Sequence, residues 1–400
     1  MTAIFRLLLF VLVSFLLGIT QTYGQVISPN VDSMGSAYPV FIGAGLDYQK
    51  IIASAEKLLE QEPVTITSFK AERSAGDIHD YYSEGSYWWQ NPDDPDGPFI
   101  RRDGERNPNN FTAHKNALRE FCIAVATLTA AYELTSDERF AQHAIMHLQA
   151  WFVNSSTRMN PSLLYAQAIK GISTGRGIGI IDTVRLIHTA ISILFLKEEK
   201  ILKGETLAAV KKWFSDYSEW LTTHRYGLDE RDNNNNHSTW WGAQVAAYSK
   251  VADRDDIFAM SQTQFKKQLN IQMEEDGSFP KELSRTKPFH YVNYNLRAWT
   301  SFALLASTPT ENLWRYNSKN GSLQKAVDFI MPFYNNPNTW NYKTLVEKEI
   351  HPQRNDFLLF TYWGTGKNEY LELWKNLNKS ENKIGAREEH LVLWENLISG

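Results

Sequence analysis

Helical periodicity is the strongest constraint this sequence places on its fold. The segment KKWFSDYSEWL sets Trp213, Phe214, Tyr217, Trp220 and Leu221 at steps of 1, 3, 3 and 1, which lines one face of a helix and not alternate faces of a strand. Similar spacing runs through 112–134, 137–153, 179–198, 238–251, 255–273, 293–306, 322–334 and 383–398. No stretch alternates regularly as a strand would. Connections between these segments are mostly short and no low-complexity linker divides the chain, which predicts one all-α domain of stacked helical hairpins. Paired helices at intervals of roughly 40 residues fit either an α/α toroid, which closes a cleft, or a solenoid, which leaves a concave face.

Such a domain must be held by its core. The single cysteine, Cys122 in FCIAVATLTAAY, has no partner for an internal disulfide and reads as an inert core residue. An apolar content of 43% permits the large core required. The net charge of −4 argues against a nucleic-acid partner, while leaving room for a local basic cleft that takes an acidic ligand. At the N-terminus, Arg6 precedes an apolar run from Leu7 to Ile19, followed by small and polar residues around Gly24. This predicts a signal peptide over 1–24 and a single domain over 25–400. The run is short for a bilayer span of about 20 residues, and no cysteine follows it to carry a lipid. The expectation is a secreted or periplasmic monomer without a stable membrane anchor.

Three segments carry more chemistry than a helical scaffold needs. RDNNNNHSTWW at 231–241 sets four asparagines before a histidine; short amides compete for backbone hydrogen bonds, so Asn233 to Asn236 are expected to precede a helix, with Asn236 as its N-cap. YYSEGSYWWQNPDDPDGPFIRRDGERNPNN at 81–110 is too long for a simple connection and predicts a structured loop over the cleft. DGSFPKELSRTKPFHYVNY at 276–294 follows a turn with a dense set of polar and aromatic groups.

Tyr87, Trp88, Trp89, Trp240 and Trp241 either stack on sugar rings or plug the core. Arg101 and Arg102 are either solvated loop charges or partners for a uronic acid. His143 and His147 share a helix face at the spacing of two zinc ligands, but lack the following Glu and a third ligand, so neither metal nor cofactor is expected. No G-x-S-x-G elbow supports acyl transfer. Glu84, Asp232 and Glu282 could serve a glycoside hydrolase, which needs two opposed carboxyl groups. The polar clusters are nonetheless dominated by Asn, His, Arg and Tyr. That set suits β-elimination from a uronic acid: a base takes the C5 proton, the carboxylate is neutralised so that charge can spread onto it, and an acid protonates the departing O4. Nearby positive charge would make a tyrosine, ordinarily near pKa 10, a usable base.

NNNNHSTWW followed by DGSFPKELSRTKPFHYVNYNL resembles the alginate lyase superfamily of α/α-toroid polysaccharide lyases, and SEGSYWW, MNPSLLYAQAIKG and GRGIGIIDT extend the resemblance over most of the chain. The resemblance implies an all-α, incomplete α/α toroid and an enzyme acting on an acidic polysaccharide. It makes Asn236 and His237 the pair that contacts the carboxyl group at the cleavage point, with Arg285 beside them and Tyr291 as the catalytic tyrosine. The spacing from Arg285 to Tyr291 is one residue shorter than in the best-known branch, which leaves Tyr294 as a rival. The expected substrate-binding set is Tyr87, Trp88, Trp89, Arg176, Trp240, Tyr294 and His290, with Arg176 either touching substrate or pairing with Asp182. Mannuronate-rich alginate is the favoured substrate, because H5 and O4 lie on one side of that ring and one tyrosine can serve both proton transfers. Glucuronan shares that geometry. A glycoside hydrolase and a non-catalytic glycan-binding protein are the alternatives from other classes.

Overall fold

The computed structural model describes residues 46–342, 355–378 and 388–399. The predicted signal peptide and the first residues of the predicted helix 383–398 lie outside them. The first helix, α1 (Tyr48–Leu58), leads into the aromatic loop segment, which contains β1 (Tyr82–Glu84), β2 (Trp88–Trp89) and β3 (Ile100–Arg101). Then come α2 (Ala113–Thr135), α3 (Glu138–Phe152), β4 (Tyr165–Ala168), α4 (Leu186–Glu198), α5 (Gly204–Thr223), α6 (Arg225–Arg231), α7 (Asn236–Ala252) and α8 (Asp255–Gln272). The short α9 (Pro280–Leu283) precedes α10 (Pro288–Ala306), α11 (Leu323–Asn335), α12 (Asp356–Thr365), α13 (Asn368–Asn378) and α14 (Glu388–Ser399).

Two-residue links fold neighbouring helices back on one another. Ser136, Asp253 and Gly366 adopt left-handed φ values of 58°, 52° and 73° immediately after α2, α7 and α12. A left-handed residue at this position ends a helix and reverses the chain within one turn. Asp137 then caps α3 by accepting from the Arg139 N–H. The hairpins pack around one continuous apolar core.

Helix α7 is the hub of that core. It contacts α4, α5, α6, α8 and α10, and its residues from Ser238 to Ser249 are buried on every face. Gly242 is required here: a Cβ at this position would lie 2.2 Å from the ring of Phe302 on α10. Trp240 meets Tyr294 near the start of both helices, and Gly242 meets Phe302 further along, so α7 and α10 run parallel with their N-termini at the same end.

The helical segments follow the periodicity, with two informative departures. The predicted helix 179–198 is broken into a 3₁₀ stretch, Gly177–Thr183, and α4, with a 50° bend between them. Gly179 sits against Ala166, leaving no room for a side chain, and the Thr183 hydroxyl bonds back to the Ile180 carbonyl at 3.0 Å. Helix α10 begins at Pro288, five residues before the predicted 293, because proline at the first helical position supplies the φ and lacks an N–H that would be unpaired anyway. This puts Tyr291 in the first turn of a helix. The aromatic loop also contains strand pairing: β2 and β3 are antiparallel, with Trp88 opposite Arg101, and β1 runs parallel to β4. Cys122 is 1% exposed, and burial pushes its thiol up to about 12, as befits an inert core residue.

Candidate active site

The asparagine run sits where α6 gives way to α7. Asn235, not Asn236, is the N-cap, and its side chain accepts from the His237 backbone N–H at 3.1 Å. Asn236 is the first helical residue and only 2% exposed. Its backbone N–H donates to Glu282 Oε1 at 2.6 Å, and its Nδ2 donates to Oε1 and Oε2 at 2.9 and 3.0 Å. The amide expected to contact substrate thus has Glu282 as its partner in this structure. A buried amide committed to a buried carboxylate ties α7 to α9 and positions its neighbours.

His237 is the residue that this anchoring presents. Its Nδ1 lies 2.6 Å from Glu230 Oε1 on α6, with 20% of the imidazole side chain exposed and 1% of the Glu230 side chain. Glu230 Oε2 also accepts from Asn233 Nδ2 at 3.0 Å. Burial alone would push the His237 pKa down; the charge and hydrogen bond of Glu230, with the charge of Glu282, outweigh it and raise the imidazole above its usual value. Burial raises the Glu282 carboxyl in turn, opposed by its Asn236 bonds and by Arg285.

Arg285 follows α9 by two residues and bridges to α10. Its Nη2 donates to Tyr291 Oη at 2.7 Å, and its guanidinium carbon lies 3.7 Å from the centre of the Tyr291 ring. Tyr291 Oη is also 3.4 Å from Tyr87 Oη, so the aromatic loop reaches the same point. Burial, then the Tyr87 hydroxyl, push the Tyr291 phenol up, and Arg285 only partly opposes them. The expected lowering by positive charge is therefore not the net result here, because desolvation is the larger effect. Tyr294 is placed differently. Its ring packs between His290 (centroids 6.2 Å apart, 6° between planes) and Trp240 (5.4 Å). His290 is exposed, whereas Trp240 is 4% exposed behind Tyr294 and forms part of the wall, correcting its reading as a surface sugar platform.

The aromatic loop supplies a second set of groups. Trp88 and Trp89 are half-buried; Trp89 Nε1 donates to the Glu105 carbonyl at 3.0 Å, and Arg102 lies 5.0 Å over the Trp89 ring. Arg176 lies 5.9 Å over the Trp88 ring and donates to the carbonyl and side-chain oxygen of Gln167 at 2.9 and 3.0 Å. Burial and the neighbouring charge of Arg101 push the Arg176 guanidinium down to about 10. The pairing of Arg176 with Asp182 does not form. Asp182 is held by Lys115 Nζ at 2.7 Å and by the Ser83 and Tyr81 hydroxyls at 2.6 and 3.3 Å.

The carboxylates considered for a hydrolase are all engaged within the fold. Glu84 receives Arg73 at 2.5 and 2.7 Å, the Tyr82 hydroxyl at 2.8 Å and the Phe111 N–H at 3.0 Å. Asp232 lies 2.6 Å from Arg231 and 3.4 Å from Lys267, and Glu282 is fully buried against Asn236. His143 bonds the Gln61 carbonyl at 3.0 Å, and burial with His143 alongside pushes His147 down to about 4.

Sequence reasoning missed Glu230. It sits in LDERD, a charged run that reads as a solvated face, and only its place seven residues before His237, on a separate short helix, brings it under the imidazole.

Comparison with known proteins gives this geometry a family. Residues 65–340 match the alginate lyase family. Alginate lyases of Pseudomonas aeruginosa are 29% identical over 148 residues, which is 37% of this chain and 39% of theirs. The alginate lyase of Pseudomonas syringae pv. syringae is 28% identical over 129 residues, 32% of this chain and 33% of its own. These alignments thus span less than half the length of either curated relative. The crystal structure of an alginate lyase from Bacteroides ovatus superposes with a TM-score of 0.77 at 29% identity, covering 86% of this chain and 92% of that one. Alginate lyase A1-III from a Sphingomonas species has the same fold at a TM-score of 0.52 and 17% identity, over 82% of this chain and 90% of its own. The hairpin stack is an incomplete α/α toroid, and the chain belongs to the alginate lyase family.

Proposed function

We propose that this protein is a secreted or periplasmic polysaccharide lyase, with a single catalytic domain from residue 25 onward, that cleaves 4-linked uronic-acid chains by β-elimination. Alginate is the proposed substrate, with mannuronate-rich stretches preferred. The observation that carries this reading is the 2.7 Å hydrogen bond from Arg285 to Tyr291 Oη, at the cleft end of α10, with His237 close enough for its charge to be felt by Arg285.

In this reading the uronate carboxylate lies between His237 and Arg285, and Tyr291 takes the C5 proton. The electron pair moves onto the carboxylate, where the imidazole and guanidinium stabilise it. The C4=C5 bond forms as C4–O4 breaks, and Tyr291 returns its proton to O4. To take the C5 proton Tyr291 enters the step as the phenolate and becomes the phenol that then protonates O4; Arg285, already bonded to its oxygen, is the group that favours the phenolate, against the burial that opposes it. Asn236 and Glu282 hold the assembly without touching substrate. Trp88, with Arg176 over it and Arg101 opposite it in the hairpin, offers an apolar platform flanked by cations, which fits a second uronic-acid ring.

Incubation with alginate, its separated blocks, glucuronan, hyaluronan and pectate, following ultraviolet absorbance of the unsaturated product, tests this function. Absorbance growing fastest on mannuronate blocks is the expected result. Faster cutting of glucuronan would change the substrate, and new reducing ends without absorbance would replace elimination by hydrolysis.

A further inference from the structure

The pairing of His237 with Glu230 has a consequence for the state in which the imidazole works. A carboxylate has no proton to give, so a 2.6 Å contact makes Nδ1 the donor and Glu230 the acceptor. The tautomer is thereby fixed. If the ring is neutral, its Nε2 is a bare acceptor, unable to donate to a uronate and repelled by its oxygens. If the ring is charged, Nε2–H is a donor carrying positive charge. The same residue is therefore a general base in one state and a charge stabiliser in the other.

The surroundings select between them. Glu230 is 1% exposed, and among the described residues its carboxylate is hydrogen-bonded by His237 and the neutral amide of Asn233. A buried carboxylate so placed favours a positive charge on its one ionisable partner. The charged groups facing the ring are Glu230 from α6, Glu282 from α9 and Arg285 from the segment after it. Arg176 and Tyr294 also feel the charge of Glu230. Two carboxylates against one guanidinium leave the imidazole in a field that favours protonation.

We propose that Glu230 is a positioning residue that holds His237 as an imidazolium, with Nδ1–H locked to the carboxylate and Nε2–H directed to the uronate. The proposal rests on the reading of this cleft as an elimination site, but its first test needs no turnover. In the whole protein, with imidazole side chains labelled with ¹⁵N, the His237 resonances should titrate with a midpoint above the ordinary 6.5. Glu230→Gln should bring that midpoint down by at least one pH unit. A wild-type midpoint at or below 6.5 overturns the proposal even if Glu230→Gln does not fold.

The kinetic arm separates this role from a merely structural one. The alkaline limb of kcat/KM should move to lower pH in Glu230→Gln by the same interval as the resonance, and Glu230→Asp should restore part of the shift. Loss of activity with an unmoved limb and an unmoved His237 midpoint would make Glu230 a packing residue only. Absence of any lyase activity in a wild-type protein whose His237 midpoint is raised would defeat the elimination reading and leave the imidazolium assignment standing.

Discussion

The two walls of the cleft are built by different means. On one side, His237, Arg285 and Tyr291 stand on helix ends cross-tied by buried carboxylates: Glu282 joins α9 to α7, and Glu230 joins α6 to α7. On the other, Tyr87, Trp88 and Trp89 are carried by a loop whose local framework is a two-residue ladder between β2 and β3. Buried, fully hydrogen-bonded networks resist displacement, because breaking one strands a desolvated charge. A short ladder at the surface opens at far smaller cost. Groups that must meet a developing charge within tenths of an ångström are on the first wall, and groups that need only grip a sugar ring are on the second.

Substitutions can break that division of labour, beginning with the largest effect. Tyr291→Phe removes one oxygen and keeps the ring, so the fold should survive while both proton transfers are lost. General acid–base catalysis is worth about 10²–10⁴-fold, and loss of both steps should put the fall in kcat at or above about 10⁴-fold, with KM little changed. Full retention of the ultraviolet-absorbing product in this variant would remove the tyrosine from the mechanism.

His237→Ala should lower kcat by about 10²–10³-fold, the usual worth of one donor aimed at a developing oxyanion. If the loss instead falls wholly on KM, His237 belongs with the gripping wall. Trp88→Ala and Trp89→Ala, measured separately, should raise KM in at least one case by about 2–10-fold, the scale of an aromatic stacking contact, with kcat and melting temperature nearly unchanged. A collapse of kcat in both would show that the loop wall performs chemistry. The smallest effect is expected from Tyr294→Phe, below about tenfold, the worth of a single hydrogen bond. If that substitution abolishes turnover while Tyr291→Phe stays active, the roles of the two tyrosines are exchanged.

Much of the scaffold was legible because amphipathic helices write their exposed and buried faces into the sequence at a period of 3.6. Helix α12 was not, because DFLLFTYWGT is buried nearly all round and therefore has no polar stripe. The parallel pairing of β1 with β4 was equally hidden: three- and four-residue strands separated by two long helices leave no periodic trace. In the site, it was the family resemblance that singled out His237, Arg285 and Tyr291, and the structure joins Arg285 to Tyr291 by a hydrogen bond. The bonding of Asn236 to Glu282 was not legible, since it depends on the helix starting one residue earlier than expected. Glu282 was weighed only as a carboxylate for the hydrolase alternative, because sequence does not reveal that it is 0% exposed and hydrogen-bonded to Asn236.

The parallel course of α7 and α10 has an electrostatic consequence. Peptide dipoles sum to roughly half a positive charge at each helix N-terminus, and both of these termini face the same end of the molecule. In the proposed charge state, Glu230 and Glu282 cancel His237 and Arg285. The backbone then adds to the cleft, beside the Arg176 and Arg101 side chains, a positive contribution that does not itself titrate. A polyanion would be drawn in by that field before any specific contact forms. Its range is set by the Debye length, about 10 Å at 0.1 M salt, so added salt should weaken capture of long chains more than it slows bond cleavage in chains already bound.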